Sequence, residues 1–146
     1  MAAICRRPLS PSTVSRGIAA APEGSALARI YRAMTSHPEL VAGEGRFCTL
    51  LMKAFRGALV GKTGADASYA IGVRHRQGPL GIAVKVEDGN TSVLNAVVVH
   101  VLDLLGVGTQ PQRDALAAFR NPVVRNTMGV PTGHLDVHFT LHSHRQ

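Results

Sequence analysis

Three short runs of alternating apolar residues, Ala58–Thr63, Ser68–Arg74 and Leu80–Glu87, follow one another with almost nothing between them. The connectors, 64–67 and 75–79, are far shorter than the dozen or more residues of a parallel crossover. The runs therefore predict neighbouring antiparallel strands, the last two as a hairpin. Tyr69, Ile71 and Val73 share one face of the second run, and Leu80, Ile82, Val84 and Val86 share one face of the third. Asp88-Gly89-Asn90-Thr91 then turns the chain into Ser92–Leu105, which is apolar nearly all round and must be buried as a helix; Gly106 stops it. A small antiparallel sheet with helices packed on it, an α+β fold, is the expectation.

The flanks fill in that picture. Ser25 can cap a helix through about His37, with Leu27, Ile30, Tyr31 and Met34 at the spacing of one buried face, and Pro38 ends it. Glu39–Gly45 reads as a Gly-rich connector. Phe47, Leu50, Leu51, Ala54 and Phe55 repeat at helical spacing up to Gly57, a C-terminal cap, with Cys48 as a small buried thiol in mid-helix. Pro111 opens a short helix to about Phe119, Asn121-Pro122 breaks it, and His134–His142 alternates as a last strand. Residues 1–22 differ in composition from residues 23–146. They read as an atypical extension ahead of the folded unit.

Composition excludes several functions. Apolar residues make up 45% of the 146 but aromatics only 4%, so Val, Leu, Ile and Ala must build the core. The net charge of +7 invites a nucleic-acid reading. Its basic residues are dispersed, however, with no run longer than Arg6-Arg7 and no interleaved aromatics to stack bases, so no nucleic-acid partner is expected. No apolar run approaches a membrane span. Cys5 and Cys48 make no disulfide framework, which points to a reducing, cytoplasmic setting. The first 22 residues carry Arg6, Arg7 and Arg16, several hydroxyls and no acid, as a mitochondrial leader would. That alternative is weakened by three prolines that would break its amphipathic helix.

The chemistry-bearing element is Gly61-Lys62-Thr63-Gly64, between the first two strands. A Lys-Thr-Gly at a strand end is an active-site element of serine amide hydrolases. Arg46 and Glu39 flank the Gly-rich connector, where they could pair with each other or hold a substrate carboxylate; the pairing is the expectation. Glu87 and Asp88 close the third strand, and Asp88 suits a helix-capping turn better than acid–base work. His134, His138, His142 and His144 share a strand face with Asp136, but a four-residue step spans about 13 Å, too far for one metal ion.

Several ordered segments together resemble one family. They are His37-Pro38-Glu39-Leu40-Val41-Ala42-Gly43-Glu44-Gly45-Arg46-Phe47, Gly61-Lys62-Thr63-Gly64-Ala65-Asp66 and Gly81-Ile82-Ala83-Val84-Lys85-Val86-Glu87-Asp88-Gly89-Asn90, with the tail His134–Leu141. From about Pro22 to Leu141 the chain resembles the C-terminal half of the L-asparaginase II (Rhizobium-type) family. The resemblance implies a sheet like that of the β-lactamase and serine glutaminase group, and hydrolysis of the side-chain amide of asparagine. It implies that Lys62 is an active-site cation beside the developing oxyanion, and that Thr63 and Gly64 line the substrate pocket, Gly64 by close backbone approach. The family's nucleophilic Ser-x-x-Lys and its zinc-binding Cys-Ser-Gly-Lys-His and Gly-Cys-Gly segments have no counterpart. The residues three before Lys53, Lys62 and Lys85 are Leu50, Leu59 and Ile82. The expectation is thus a chain without a cofactor of its own, zinc belonging to the half that full-length relatives add, and without hydrolytic activity alone. Its expected partners are asparagine once the site is completed, a second copy, or a complementing N-terminal half. A non-catalytic, partner-binding subunit is the alternative.

Overall fold

The computed structural model describes Ala2–Ala3 and residues 11–142. Cys5 and His144 lie outside the described residues. The strands form as their alternation dictates: β1 (Ala2–Ala3), β2 (Leu59–Gly64), β3 (Ser68–Val73) and β4 (Leu80–Lys85) make one antiparallel sheet in the order β1-β4-β3-β2. Register pairs Leu59 with Val73 and Gly64 with Ser68 in one hairpin, and Ser68 with Lys85 and Val73 with Leu80 in the next. β2 is the edge strand.

Each face of the sheet carries helices. Leu59, Tyr69, Ile71, Val73, Ile82 and Val84 point to one side and are buried. There they meet α4 (Phe47–Phe55) and α5 (Thr91–Leu104). Asn90 caps α5, its Oδ1 accepting from the amides of Ser92 and Val93 at 3.0 and 3.1 Å. Asp88 supports that turn instead, accepting from Asn90 N at 2.9 Å. Leu94, Val98, Val99, Val101 and Leu102 are buried, as a helix apolar nearly all round requires.

The other face is built for close approach. Gly72 and Gly81 are cross-strand partners on it. Helix α1 (Pro11–Ala19) lies directly on them: a Cβ at Gly81 would stand 1.8 Å from Ser12 O, and one at Gly72 would stand 2.2 Å from Ser15 O. The prolines of this segment do not prevent the helix, because Pro11 is its first residue, where no backbone donor is needed. Beside it, α2 (Ala26–Ser36) is capped by Ser25, whose Oγ accepts from Ala28 N at 3.2 Å.

Three expectations are corrected. The buried face of α2 is set by Ala28 and Tyr31, while Leu27 and Ile30 are 45% and 48% exposed. Tyr31 fixes this rotation by donating to Gly57 O at 2.8 Å and stacking under Arg74, whose guanidinium lies 4.0 Å from the ring centroid. Pro38 not only ends α2 but opens α3 (Pro38–Ala42) within the supposed connector. The tail is no strand over His134–His142. After α6 (Gln110–Asp114) and α7 (Ala117–Arg120), a two-stranded ribbon of β5 (Val123–Arg125) and β6 (Pro131–His134) forms, and residues 135–142 run on without regular structure. Phe139 anchors them to α5, its ring 4.8 Å from that of His100 and its carbonyl 3.2 Å from His100 Nε2. Among the described residues no helix is long and apolar enough to cross a membrane.

Candidate functional site

The Lys-Thr-Gly run lies on the open edge, so its outer backbone and side chains are reachable. Lys62 is exposed, and its Nζ donates to Thr63 O at 3.0 Å. Thr63 is half-buried. Its amide points away from β3 and donates to Cys48 Sγ at 3.4 Å, and its hydroxyl lies 3.4 Å from both Gly64 O and Ser68 O. Cys48 stands in the first turn of α4, not in mid-helix, and is buried.

Lys62 and Thr63 line a cleft of about 600 Å³. The 43–45 turn and Arg46, which opens α4, form one wall; Thr91 and Asn95 from α5 form another; Phe47, Cys48 and Tyr69 lie at its base. Gly64 is not part of this wall. Its missing Cβ makes room for Ser68 Oγ, which would stand 2.6 Å away. Close approach on β2 belongs to Gly61, where a Cβ would meet Leu51 Cδ2 at 2.9 Å and the Tyr69 hydroxyl at 3.0 Å. On the opposite face Lys62 also borders an apolar groove of about 340 Å³ between α1 and the sheet, with Val14, Ile18, Met34 and Val60.

The electrostatics of the cleft are one-sided. Among the described residues no acid lines it, while two cations do. Arg46 and Glu39 do not pair: Glu39 faces His37 at 3.6 Å, and the nearby Glu44 takes Lys53 at 3.3 Å. Tyr69 is buried, and among the described residues its hydroxyl has no partner beyond the weak Cys48 thiol beside it. Burial pushes the phenol well above its usual range, and the adjacent Cys48 thiol adds in the same direction. Tyr69 is therefore a neutral group at physiological pH.

Other candidates are not brought together. His134, His138 and His142 are all exposed, with only His134 on a strand, and Asp136 accepts from Asn121 instead. Among the described residues no three His, Cys, Asp or Glu side chains come together as a metal shell requires, so no step through zinc is derived for this chain. Sequence reasoning passed over Tyr69, Thr91 and Asn95 as cleft residues. Tyr69 was legible only as a strand's buried face, and Asn95 breaks the apolar surface of α5, the one signal that it had.

No curated protein matches the chain. The model of the L-asparaginase II family does, over residues 9–137. That span takes in α1, strands β2, β3 and β4, the cleft and the β5–β6 ribbon. Its start at residue 9 agrees with the seating of α1 on Gly72 and Gly81, ahead of the point near Pro22 where the resemblance by motif begins. With most of its length and every cleft residue inside that match, this chain belongs to the L-asparaginase II family.

Proposed function

We propose that this chain supplies the Lys-Thr-Gly side of an asparagine amide-hydrolysing site and does not complete the reaction alone. The observation that carries the reading is Lys62, an exposed cation on an open strand edge at the rim of the polar cleft, within the family match. An amide under attack builds negative charge on its carbonyl oxygen. An ammonium fixed at that point favours the transition state over the ground state. Thr63 offers a hydroxyl beside it.

The nucleophile is the missing part. Acyl transfer needs a serine activated by a base, and no Ser-x-x-Lys occurs in these 146 residues. A second chain carrying that pair would have to seat against β2. The exposed Val14, Leu27 and Ile30, at 56%, 45% and 48%, favour a surface that a partner covers, and so keep the non-catalytic, partner-binding subunit as the second reading.

The test is ammonia release from L-asparagine. The chain alone is expected to give none. Supplied with the Ser-x-x-Lys half of a family member, it is expected to turn over, and Lys62→Met should lower kcat by about 100- to 1,000-fold without changing the melting temperature. Lys53→Met and Lys85→Met should be tolerated, since these lysines hold Glu44 and the Asp66 carbonyl outside the cleft. Turnover by the chain alone would refute the incomplete site, and equal small losses at all three lysines would refute the role of Lys62.

A further inference from the structure

The cleft carries more cation than the Lys62 reading uses. Arg46 is exposed at its wall, and its guanidinium makes no hydrogen bond or ion pair with any described residue. Thr91 and Asn95 face the same space, and no side-chain hydrogen bond occupies either. Helix α4 starts at this point with no side chain capping its first-turn amides, and two residues of that turn, Phe47 and Cys48, line the cleft. The positive end of the helix thus adds to two cations that meet no acid there. The nearby carboxylates are already engaged elsewhere, Glu39 with His37 and Glu44 with Lys53.

We propose that Arg46 anchors the carboxylate of a small ligand in this cleft, with Asn95 and Thr91 contacting its polar remainder. The anchor rests on the asparagine reading above only for the identity of the ligand. A guanidinium presents paired N–H donors that match a carboxylate's two oxygens, which an ammonium cannot do. Arg46 and Lys62 then divide the work: one holds the end of the ligand that does not react, and the other stands where charge develops. A ligand lacking the carboxylate loses the anchor and keeps the rest.

The experiment is calorimetric or NMR titration of the full chain with L-aspartate, L-asparagine and succinate. L-Aspartate, the product of the proposed reaction, is expected to bind saturably. Arg46→Gln should weaken it about tenfold or more with the melting temperature unchanged, while Arg46→Lys recovers part of the loss and Glu39→Gln has no effect. If L-aspartate binds Arg46→Gln as well as the unmodified chain, the anchor is wrong and the asparagine reading stands. If succinate binds in an Arg46-dependent way while L-aspartate and L-asparagine neither bind nor compete, the anchor stands and the asparagine reading falls. If none of the three binds the unmodified chain, the anchor is overturned.

Discussion

Gly81→Ala should be among the most damaging single-methyl changes in this protein. The added Cβ would stand 1.8 Å from Ser12 O, 2.8 Å from Ser12 C and 2.8 Å from Arg16 Cβ. Two of those atoms are helix backbone, which cannot rotate away as a side-chain tip can. Restoring ordinary contact at about 3.2 Å requires α1 to retreat by about 1.4 Å. A gap of even 0.5–1 Å forfeits about a quarter to a half of a contact's dispersion energy, so the retreat strips α1 of most of its packing on the sheet. The expected cost is about 2–3 kcal/mol, at the upper end for overpacking, or roughly 6–10 °C in melting temperature for a chain of this size. Gly72→Ala meets Ser15 O at 2.2 Å and should cost a similar amount. The double variant should cost less than the sum, because one lift of α1 relieves both clashes. Gly133→Ala is the control. Nothing lies within 4 Å of its Cβ, so it reports only the entropy that alanine removes from the unfolded chain. Urea denaturation of the four variants measures all of this. Gly81→Ala unfolding at the same urea concentration as Gly133→Ala would refute the seating of α1 on the glycine pair.

Two further predictions concern tyrosines. Tyr69→Phe removes a buried hydroxyl that has no partner beyond the weak Cys48 thiol, so it should be neutral or stabilising by up to about 1 kcal/mol, where most buried Tyr→Phe changes destabilise. A loss above about 1 kcal/mol in urea would show that the hydroxyl is bonded. Tyr31 gives a pH dependence: burial pushes its phenol up to about 12, with Arg74 pulling the other way. A group raised above its unfolded value of about 10 stabilises the fold fully below that pH, and the contribution disappears as pH climbs towards 12. Between pH 9 and 11 the unmodified chain should lose more stability than Tyr31→Phe, and parallel declines would argue against the assignment.

How much the sequence disclosed depended on the kind of periodicity it used. β3 and β4 were legible because a period of two admits only two assignments, and Tyr69, Ile71 and Val73 decide between them. The rotation of α2 was not. Of the stripe through Leu27, Ile30, Tyr31 and Met34, Tyr31 and Met34 do pack inward, while Ala28 takes the place of Leu27 and Ile30. Hydrophobicity scarcely weighs the alanine that makes close packing possible. A strand glycine marks close approach of another backbone. At Gly64 the near neighbour is the Ser68 hydroxyl; at Gly72 and Gly81 the approaching backbone is α1, and nothing local to either strand names it. The tail failed for a different reason. Alternation from His134 to His142 satisfies a strand pattern, but contact with His100 holds Phe139 without offering a sheet edge to pair with.

Four departures from ordinary folding rules meet at one place. Tyr69 buries a hydroxyl with no partner beyond a thiol, and α4 begins without a capping side chain. The Thr63 amide settles for a thiol, a weak acceptor, and Arg46 stands with no carboxylate to meet. Three of them would be improved by a single substitution: a phenylalanine, a serine ahead of α4, an acid opposite Arg46. All four belong to residues lining one cleft. Where local rules are broken together in one place, stability has been traded for something else. The opposite face of the sheet provides the contrast, for there Gly72 and Gly81 fit α1 and no buried side-chain polar atom of a described residue lacks a partner. Because β2 is the sheet's open edge, the broken rules also lie where a ligand or a second chain can reach them. Lys62, a charge on that edge, discourages unspecific strand pairing while leaving the site open. The misfit at Thr63, Tyr69 and the start of α4 marks this cleft on physical grounds alone.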